Sequence, residues 1–336
     1  MLLSSTEVES FASRLDLGVL QGKRVLITGG TGMVGSYLVE SLCKGLEVQK
    51  IFPREIRVIS GSGDFSSLKH LQSFKFLVFH EKKLLDSHEL GGFEFLIHAA
   101  SPASPTKFFS PEVLWSINVN AFSKLITSAT ERALFISSGE VYGADAPIPV
   151  PENYLGAIDA NLSRSAYALA KIEGELRGRE LCVAHGAEFR VGRLFHTFGP
   201  GVRKNDGRSF ADFLWQSAEG KKPILKSAGG DVRTFLYSLD AVVGLLQILL
   251  QDKHTNPINI GSEKPFTILD FATQISTQAG LFGETEMVVS ADNYTHSPNH
   301  VIIPDTNRLK SLGWRQEINL EESIDKTLAW IKAQNV

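Results

Sequence analysis

Several features are scarce in this sequence, and each scarcity excludes a class of protein. Only two of its 336 residues are cysteines. Cys43 and Cys182 stand in no CxxC pair and have no neighbouring histidines, so their spacing predicts neither a disulfide framework nor a zinc site. We expect no metal and a reducing, cytoplasmic environment.

A surplus of charge of one sign is also lacking. The formal net charge of -3 leaves no basic excess for nucleic acid or for an anionic membrane. No apolar run reaches the roughly 18 residues that a membrane span requires. Neither nucleic acid nor a membrane is therefore an expected partner.

Residues 1–21 lack the pattern of a signal peptide. Their start is not basic, and their apolar residues come at helical spacing among acids rather than as one continuous apolar core. We expect this segment to form a helical extension.

From Lys23 onward, short apolar strands alternate with helical segments. The strands include "RVLITG", "EIRVIS", "FEFLIHAA" and "ALFISS", and residues 113–131 between the last two have helical periodicity throughout. This order predicts an α/β fold with a doubly wound parallel sheet of the Rossmann type over residues 22–195. Glycine and proline become frequent after Gly199, which predicts a smaller α/β substrate-binding lobe over residues 196–336, with part of the chain returning to the sheet.

The first strand runs into a glycine-rich turn. In "VLITGGTGMVG", Gly29, Gly32 and Gly35 follow at three-residue spacing at the head of a helix. Glycine there permits a tight turn and lets backbone N–H groups reach a pyrophosphate, although a purely structural turn could have the same residues. The strand, turn and helix together predict a dinucleotide site.

The acid that often follows the second strand is missing. "EIRVIS" continues through Ser60, Gly61, Ser62 and Gly63 before Asp64 appears. An acid at this point holds the adenosine ribose hydroxyls, whereas small residues leave room for a 2′-phosphate. No arginine stands beside them in the sequence, so the choice between NAD and NADP stays open.

A tyrosine and a lysine lie four residues apart in "SAYALAKIEGE". On a helix, Tyr167 and Lys171 share one face. A lysine ammonium near a phenol, helped by a nicotinamide cation, would lower the pKa of the tyrosine and make it a base for a hydroxyl proton while a hydride leaves the same carbon. A surface pair with no function is the alternative.

Together these motifs resemble the extended short-chain dehydrogenase/reductase family, in its branch of nucleotide-sugar epimerases, dehydratases and decarboxylases. The resemblance runs from about Lys23 to Lys332 and includes "TGGTGMVG", "HAASPASP", "SSGEVYG", "YALAK", "FHTFGPG", "NDGR" and "GGDVRTFLYSLD". It implies tightly held NAD, a nucleotide-sugar substrate oxidised to a 4-ketone, and a homodimer.

The resemblance also implies roles for individual residues. Tyr167 would be the base, Lys171 its partner, Ser138 a hydrogen-bond partner of the reacting hydroxyl and Glu140 a catalytic acid or base. The implied cofactor contacts are Thr28, Gly29, Gly32, Met33, Val34, Gly35, Asp86, Ala99, Ala100, Ser101, Asn118, Tyr167 and Lys171. The implied substrate contacts are Pro102, Ser104, Glu140, His196, Arg208 and Arg233.

Two stretches, "HAASPASP" and "KNDGRSFADF", are most similar to UDP-glucuronate decarboxylases, which implies a UDP-linked uronic acid as substrate. Two residues depart from that pattern. Gly139 replaces the serine of decarboxylases and the aspartate of dehydratases, and His196 replaces an asparagine, adding a group that titrates near about pH 6.5. An NDP-sugar epimerase in surface polysaccharide assembly, a 4,6-dehydratase and a catalytically silent dinucleotide-binding protein remain alternatives.

Overall fold

The computed structural model describes residues 1–80, 84–86, 90–102, 110–251, 256–288 and 300–334. Ser104 and the side chain of Asp86, both predicted site residues, lie outside this description. The helices in chain order are α1 (Ser5–Arg14), α2 (Met33–Gln49), α3 (Pro111–Trp115), α4 (Phe122–Ile126), α5 (Ser165–His185), α6 (Ser209–Ala218), α7 (Ser238–Leu250), α8 (Ile268–Gln278), α9 (Asn307–Ser311) and α10 (Leu320–Gln334).

The strands, likewise in chain order, are β1 (Arg24–Thr28), β2 (Glu55–Ile59), β3 (Leu77–His80), β4 (Phe93–His98), β5 (Ala129–Ser138), β6 (Glu188–Leu194), β7 (Thr197–Phe198), β8 (Ile224–Leu225), β9 (Val232–Thr234), β10 (Leu236–Tyr237), β11 (Ile258–Ile260), β12 (Pro265–Thr267) and β13 (Glu286–Met287). None of the helices in the described part of the chain is long and apolar enough to cross a membrane.

A seven-stranded sheet forms the centre of the molecule, in the order β11-β6-β5-β4-β1-β2-β3. Every neighbouring pair in it is parallel. The chain moves outward from β1 to β3 on one side and returns to β4 on the other, so the strand order reverses at β1. This confirms the predicted doubly wound Rossmann-type sheet, whose ligand crevice is expected at the carboxyl ends of β1 and β4.

Both faces of the sheet are buried. Successive side chains along a strand point to opposite faces, so each strand contributes to two apolar clusters. Val25 and Ile27 of β1 pack on the face that α2 and α7 cover, while Leu26 between them belongs to the opposite face with Phe122 of α4 and Cys182 of α5. The near-continuous apolar strands of the sequence are therefore what a sheet covered on two sides requires.

A separate apolar cluster lies in the second half of the chain. It joins α6, α8 and α10 around Phe198, Phe235 and Phe271, and the last two rings are stacked with centroids 3.8 Å apart. Short two-stranded pairs accompany it, namely β7 with β10, β9 with β12 and β8 with β13. The strand β11 comes from this half of the chain but pairs with β6 in the central sheet. The division into residues 1–21, 22–195 and 196–336 stays a prediction.

The prediction of one helix over residues 113–131 was wrong. A π-helical turn, Ser116–Ala121, interrupts the helix, α4 ends at Ile126, and β5 already begins at Ala129. Ala129 is paired with Phe93 of β4. Pairing with a distant strand outweighs the local helical periodicity of this segment. The sequence shows the periodicity but not the pairing.

Candidate active site

The glycine-rich turn lies at the crevice, and its three predicted glycines have different reasons to be glycine. A Cβ on Gly29, where φ is 69°, would lie 2.5 Å from the backbone of Ala100, and one on Gly35 would lie 2.1 Å from the Gly29 carbonyl oxygen. A Cβ on Gly32 would meet only the Gly29 oxygen, at 3.3 Å. Internal packing therefore explains Gly29 and Gly35, whereas Gly32 leaves an open approach for a ligand.

The helix α2 begins at Met33, directly after this turn, and Gly32 provides no side-chain cap. The first N–H groups of a helix have no partner within the helix, and with the helix dipole they favour an anion. Gly32, Met33, Val34 and Gly35 therefore fit the pyrophosphate of a dinucleotide.

The end of β4 lies beside this turn. Thr28 and His98 are register partners, and the Thr28 hydroxyl is 2.9 Å from His98 Nδ1. Ala99, Ala100, Ser101 and Pro102 continue from there along the crevice. Ala99 N donates to the Thr28 carbonyl oxygen at 3.1 Å, so the predicted cofactor contacts of β1 and β4 are adjacent.

Asn118 occupies the π-helical turn and is fully buried. Its amide nitrogen donates to the Leu114 carbonyl oxygen at 2.9 Å, but its Oδ1 has no hydrogen-bond partner among the described residues. A buried acceptor without a partner is costly. This orphaned atom fits a polar ligand such as the dinucleotide.

Tyr167 and Lys171 lie on the first turns of α5, with the Lys171 nitrogen 5.8 Å from the centre of the Tyr167 ring. The ammonium donates to the Ile136 carbonyl oxygen at 2.7 Å, and burial lowers the pKa of Lys171 to about 7. Burial raises the pKa of Tyr167, while the neighbouring Ser138 hydroxyl acts in the opposite direction. Burial is the largest influence on the pKa of this phenol in the protein alone, and Lys171 is not among the main causes of the shift. The predicted lowering, which also needs the nicotinamide cation, stays a prediction.

Ser138 and Glu140 lie at the carboxyl end of β5. Ser138 is the last residue of the strand, and its hydroxyl accepts a hydrogen bond from Glu140 N at 3.2 Å. The Glu140 carboxylate pairs with Arg164 at 3.2 Å, just before α5. Since Glu140 also raises the pKa of Tyr167, the acid and the phenol are within electrostatic reach of each other.

Gly139 stands between these two side chains, where the sequence offers no acid. A Cβ at this position would lie 2.9 Å from the ring of Phe195. Contacts that short do not occur without a shift of the neighbour, and Phe195 is buried. Packing against Phe195 therefore explains why this position has no side chain.

His196 differs from its expected chemistry. Burial, together with Arg233, Arg208 and Arg164, lowers its pKa to about 3. The expectation of a group titrating near pH 6.5 is therefore wrong, and the imidazole is neutral at physiological pH. Its ring lies edge-on to Phe235, and its buried Nδ1 has no hydrogen-bond partner among the described residues.

Arg208 and Arg233 both have anionic partners nearby. Arg208 forms a bidentate ion pair with Asp206, in which its Nε and Nη2 donate to the two carboxylate oxygens at 2.5 and 2.9 Å. Arg233 lies 3.5 Å from Asp231 and donates to the His300 carbonyl oxygen at 3.1 Å. Both influence the pKa of His196, so the predicted substrate residues His196, Arg208 and Arg233 share one region.

The sequence reasoning missed Arg164. It is the ion-pair partner of Glu140 and one of the cations around His196. The available signal was its place three residues before Tyr167, which is one helical turn away.

Comparisons with known proteins agree with this geometry. Residues 25–261 match the family described as "NAD dependent epimerase/dehydratase family". Among similar proteins, UDP-glucuronic acid decarboxylase 5 of Arabidopsis thaliana is 30% identical over 314 residues, which are 90% of this chain and 87% of that protein. UDP-glucuronic acid decarboxylase 1 of Xenopus tropicalis is 29% identical over 331 residues, with 93% of this chain and 73% of that protein covered.

Solved structures share the fold. A UDP-N-acetylglucosamine 4-epimerase from Methanobrevibacter ruminantium has a TM-score of 0.79 at 21% identity, over 94% of this chain and 99% of that one. A dTDP-glucose 4,6-dehydratase from Streptomyces venezuelae also has a TM-score of 0.79, at 20% identity, over 93% and 98% of the two chains. With its glycine turn, its buried lysine beside a tyrosine and a family match over most of its length, the chain is a member of the NAD dependent epimerase/dehydratase family.

Proposed function

We propose that the protein removes the C5 carboxylate of a UDP-linked uronic acid, UDP-glucuronate, to give UDP-xylose and CO2. The observation that supports this most directly is the pair of Glu140 and Arg164 beside Tyr167. An acid at this place can manage a proton at C5, which a simple 4-epimerase does not need. Relatives at 29 and 30% identity are named UDP-glucuronic acid decarboxylases.

The first step is oxidation at C4. NAD bound at the glycine turn would accept the hydride from C4 and return it at the end of the reaction. Tyr167 takes the proton of the C4 hydroxyl, and Ser138 hydrogen-bonds the same oxygen. Lys171 is held by the Ile136 carbonyl on the same helix face as Tyr167, where its positive charge and that of the nicotinamide would together favour the phenolate.

The second step is loss of CO2 from the β-keto acid. The C5–C6 bond breaks, its electrons move into the enolate of the 4-ketone, and C5 takes a proton from a water molecule that the 39% exposed Glu140 carboxylate orients. Arg164, Arg208 and Arg233 surround His196 with positive charge. Guanidinium groups bind paired oxygens well, so this region suits a substrate with a diphosphate and a carboxylate. Reduction of the 4-ketone, with the proton returned by Tyr167, completes the cycle.

Incubation with UDP-glucuronate labelled with ¹³C in the carboxylate, in D2O, tests the proposal. We expect labelled CO2 and a UDP-pentose with one deuterium at C5. Tyr167→Phe should lower the rate by about a hundredfold to ten-thousandfold. Tyr154→Phe is the matched control, since the only hydrogen bonds of the Tyr154 hydroxyl within the described part of the chain are to the carbonyls of Ala144 and Asp145, at 3.5 and 3.3 Å. Absence of labelled CO2 would rule out decarboxylation.

The same experiment separates the alternatives. An isomer of the UDP-sugar formed without loss of mass would indicate an epimerase, which the departures at Gly139 and His196 first suggested. If no sugar were converted and Tyr167→Phe changed no measured property, the protein would be a silent dinucleotide binder. A 4,6-dehydratase is supported less well, because the space beside Phe195 leaves no room for an acid at position 139.

A homodimer through α5 is part of the proposal. Ile172, Leu176 and Val183 are 37, 50 and 78% exposed. Their spacing places them along one side of the helix, and a cluster of exposed apolar side chains is typical of a contact surface. Light scattering after gel filtration should give twice the chain mass, and Leu176→Glu should give a monomer.

A cytoplasmic location and a role in polysaccharide assembly complete the proposal. Cys43 and Cys182 are buried free thiols, as expected in a reducing compartment. A UDP-pentose is a donor for glycosyl transfer, so an enzyme that builds polysaccharide would consume the product.

A further inference from the structure

A cluster of hydroxyl groups occupies the carboxyl end of β2, where many dinucleotide sites have an acid. The Thr31 and Ser60 hydroxyls are 2.9 Å apart, and those of Ser60 and Ser62 are 3.1 Å apart. The cluster belongs to the cofactor crevice, because Gly29 N donates to the Ile59 carbonyl oxygen at 2.8 Å and so joins the glycine turn to the end of β2.

An arginine reaches this cluster from the other half of the chain. The Arg203 guanidinium donates to the Thr31 carbonyl oxygen at 2.9 Å, although 172 positions separate the two residues. The exposed side chain of Arg203 follows the fully buried Val202, which fixes the start of this segment. The arginine that is missing beside Ser60 in the sequence is therefore supplied by the fold.

The nearby acid, Asp64, is held by Ser66, although it also lies within electrostatic reach of Arg203. Asp64 accepts hydrogen bonds from the Ser66 backbone N at 2.8 Å and from the Ser66 hydroxyl at 3.1 Å. Its carboxylate thus binds the first residue of the helical turn Ser66–Leu71. Space is also available, since a Cβ added to Gly61 would have no neighbour within 4 Å.

We propose that Thr31, Ser60, Ser62 and Arg203 form a receptor for a 2′-phosphate, so that this protein binds NADP as well as NAD. A carboxylate at the end of β2 would repel that phosphate, whereas hydroxyl groups donate hydrogen bonds to it. A guanidinium adds a charge-assisted contact. The inference concerns the cofactor half of the crevice and does not depend on the sugar chemistry proposed above.

Competitive retention tests this directly, without an activity assay. The holoprotein is equilibrated with equal concentrations of NADH and NADPH, desalted and denatured, and the released dinucleotides are quantified by mass spectrometry. For the wild type we expect both, in amounts within about tenfold of each other. Arg203→Gln should lower the ratio of NADPH to NADH by about tenfold, since a hydrogen bond to a charged group is lost.

Lys204→Gln is the matched control. It removes a positive charge one residue further on, from a side chain that pairs with Glu219, and should leave the ratio unchanged. Ser60→Asp should lower the ratio further than Arg203→Gln while NADH is retained. Wild-type protein that retains NADPH more than about a hundredfold less than NADH, or an Arg203→Gln variant with an unchanged ratio, would overturn the proposal.

Discussion

Lys171 is a buried cation whose only hydrogen bond among the described residues is to the Ile136 carbonyl oxygen. Its pKa in the folded protein is about 7, below the ordinary value of 10.5. Between these values the unfolded chain binds a proton that the folded chain does not. The free energy of unfolding therefore rises with pH from about 7 to about 10, and the burial penalty is fully present below pH 7.

Replacement of Lys171 by methionine should remove this rise. At pH 7 we expect the free energy of unfolding to increase by about 2 kcal/mol, after allowance for the lost hydrogen bond. Urea denaturation at several pH values measures both effects. Lys124→Met, at an exposed position on α4, should leave the slope unchanged. Parallel curves for wild type and Lys171→Met would contradict the assignment.

His196 should contribute nothing to the pH dependence of catalysis near neutrality, because its pKa is about 3. His196→Asn, which restores an amide at this position, should change the size of kcat/KM but not the shape of its pH profile between about pH 5 and about pH 8. Steady-state assays across that range provide the measurement. Loss of an acid limb near pH 6.5 in the variant would show that the imidazole does titrate.

The predicted site residues that the structure places at the crevice are those whose signal in the sequence is local. Gly32 precedes a helix start, and Tyr167 and Lys171 are one turn apart on the same helix. The residues adjacent in sequence were therefore enough to predict their positions. The sequence could not predict the roles of Gly139 and Arg203. Gly139 packs against the ring of Phe195, and Arg203 donates to the carbonyl oxygen of Thr31. These contacts join segments that only the completed fold brings together.

At the scale of elements, a buried ionic network joins α5 to β5 and β6 behind the site. Glu175 accepts from the Ser137 hydroxyl at 2.5 Å and binds Arg193 through two contacts of 3.0 and 2.7 Å. Arg193 also donates to the Tyr142 hydroxyl at 3.1 Å. Ser137 adjoins Ser138, and Glu175 lies one turn beyond Lys171, so the network fixes the helix against the strand that presents the site.

Removal of one charge from this network should be severe. Glu175→Gln leaves the partly buried guanidinium of Arg193 without its counter-charge, and we expect a loss of about 3 kcal/mol in the free energy of unfolding. Chemical denaturation measures it. The exposed pair of Arg177 and Glu180 on the same helix gives the control, because Glu180→Gln should cost less than about 0.5 kcal/mol. Equal losses at the two sites would disprove the structural role of the network.

The elements show the same division between local and distant information. The order of strands and helices, and with it the doubly wound sheet, follows from alternation along the chain. The start of β5 at Ala129 does not, because residues 113–131 satisfy helical periodicity until pairing with β4 is considered. A boundary set by a partner strand is available only from the tertiary structure.

At the scale of the whole molecule, α1 connects parts of the chain that lie far apart in sequence. It precedes the family match, which begins at residue 25. Glu7 accepts a hydrogen bond from the Tyr237 hydroxyl at 2.8 Å, and that hydroxyl is 3.0 Å from the Tyr37 hydroxyl on α2. The helix that carries the glycine turn is therefore tied through α1 to the second half of the chain.

The strongest of these connections is the ion pair of Arg14 and Asp240 at 2.7 Å, with 9 and 0% of the two side chains exposed. Arg14 also donates to the Arg315 carbonyl oxygen at 2.7 Å, and Asp240 accepts from Ile318 N at 3.0 Å. Three segments therefore meet at one buried charge pair. Loss of the cation would leave a buried carboxylate without a counter-charge, which is far costlier than loss of an exposed pair.

Arg14→Leu should accordingly lower the free energy of unfolding by about 3 to 5 kcal/mol, measured by chemical denaturation. Addition of Asp240→Asn should recover part of that loss, because a neutral amide remains buried without a cation while keeping its backbone hydrogen bonds. Lys221→Gln, at a 69% exposed side chain that pairs with Glu219, should be nearly neutral. If the double variant were as unstable as the sum of the two single variants, the ion pair would not be what joins these segments, and the apolar contacts of α1 would have to account for its position.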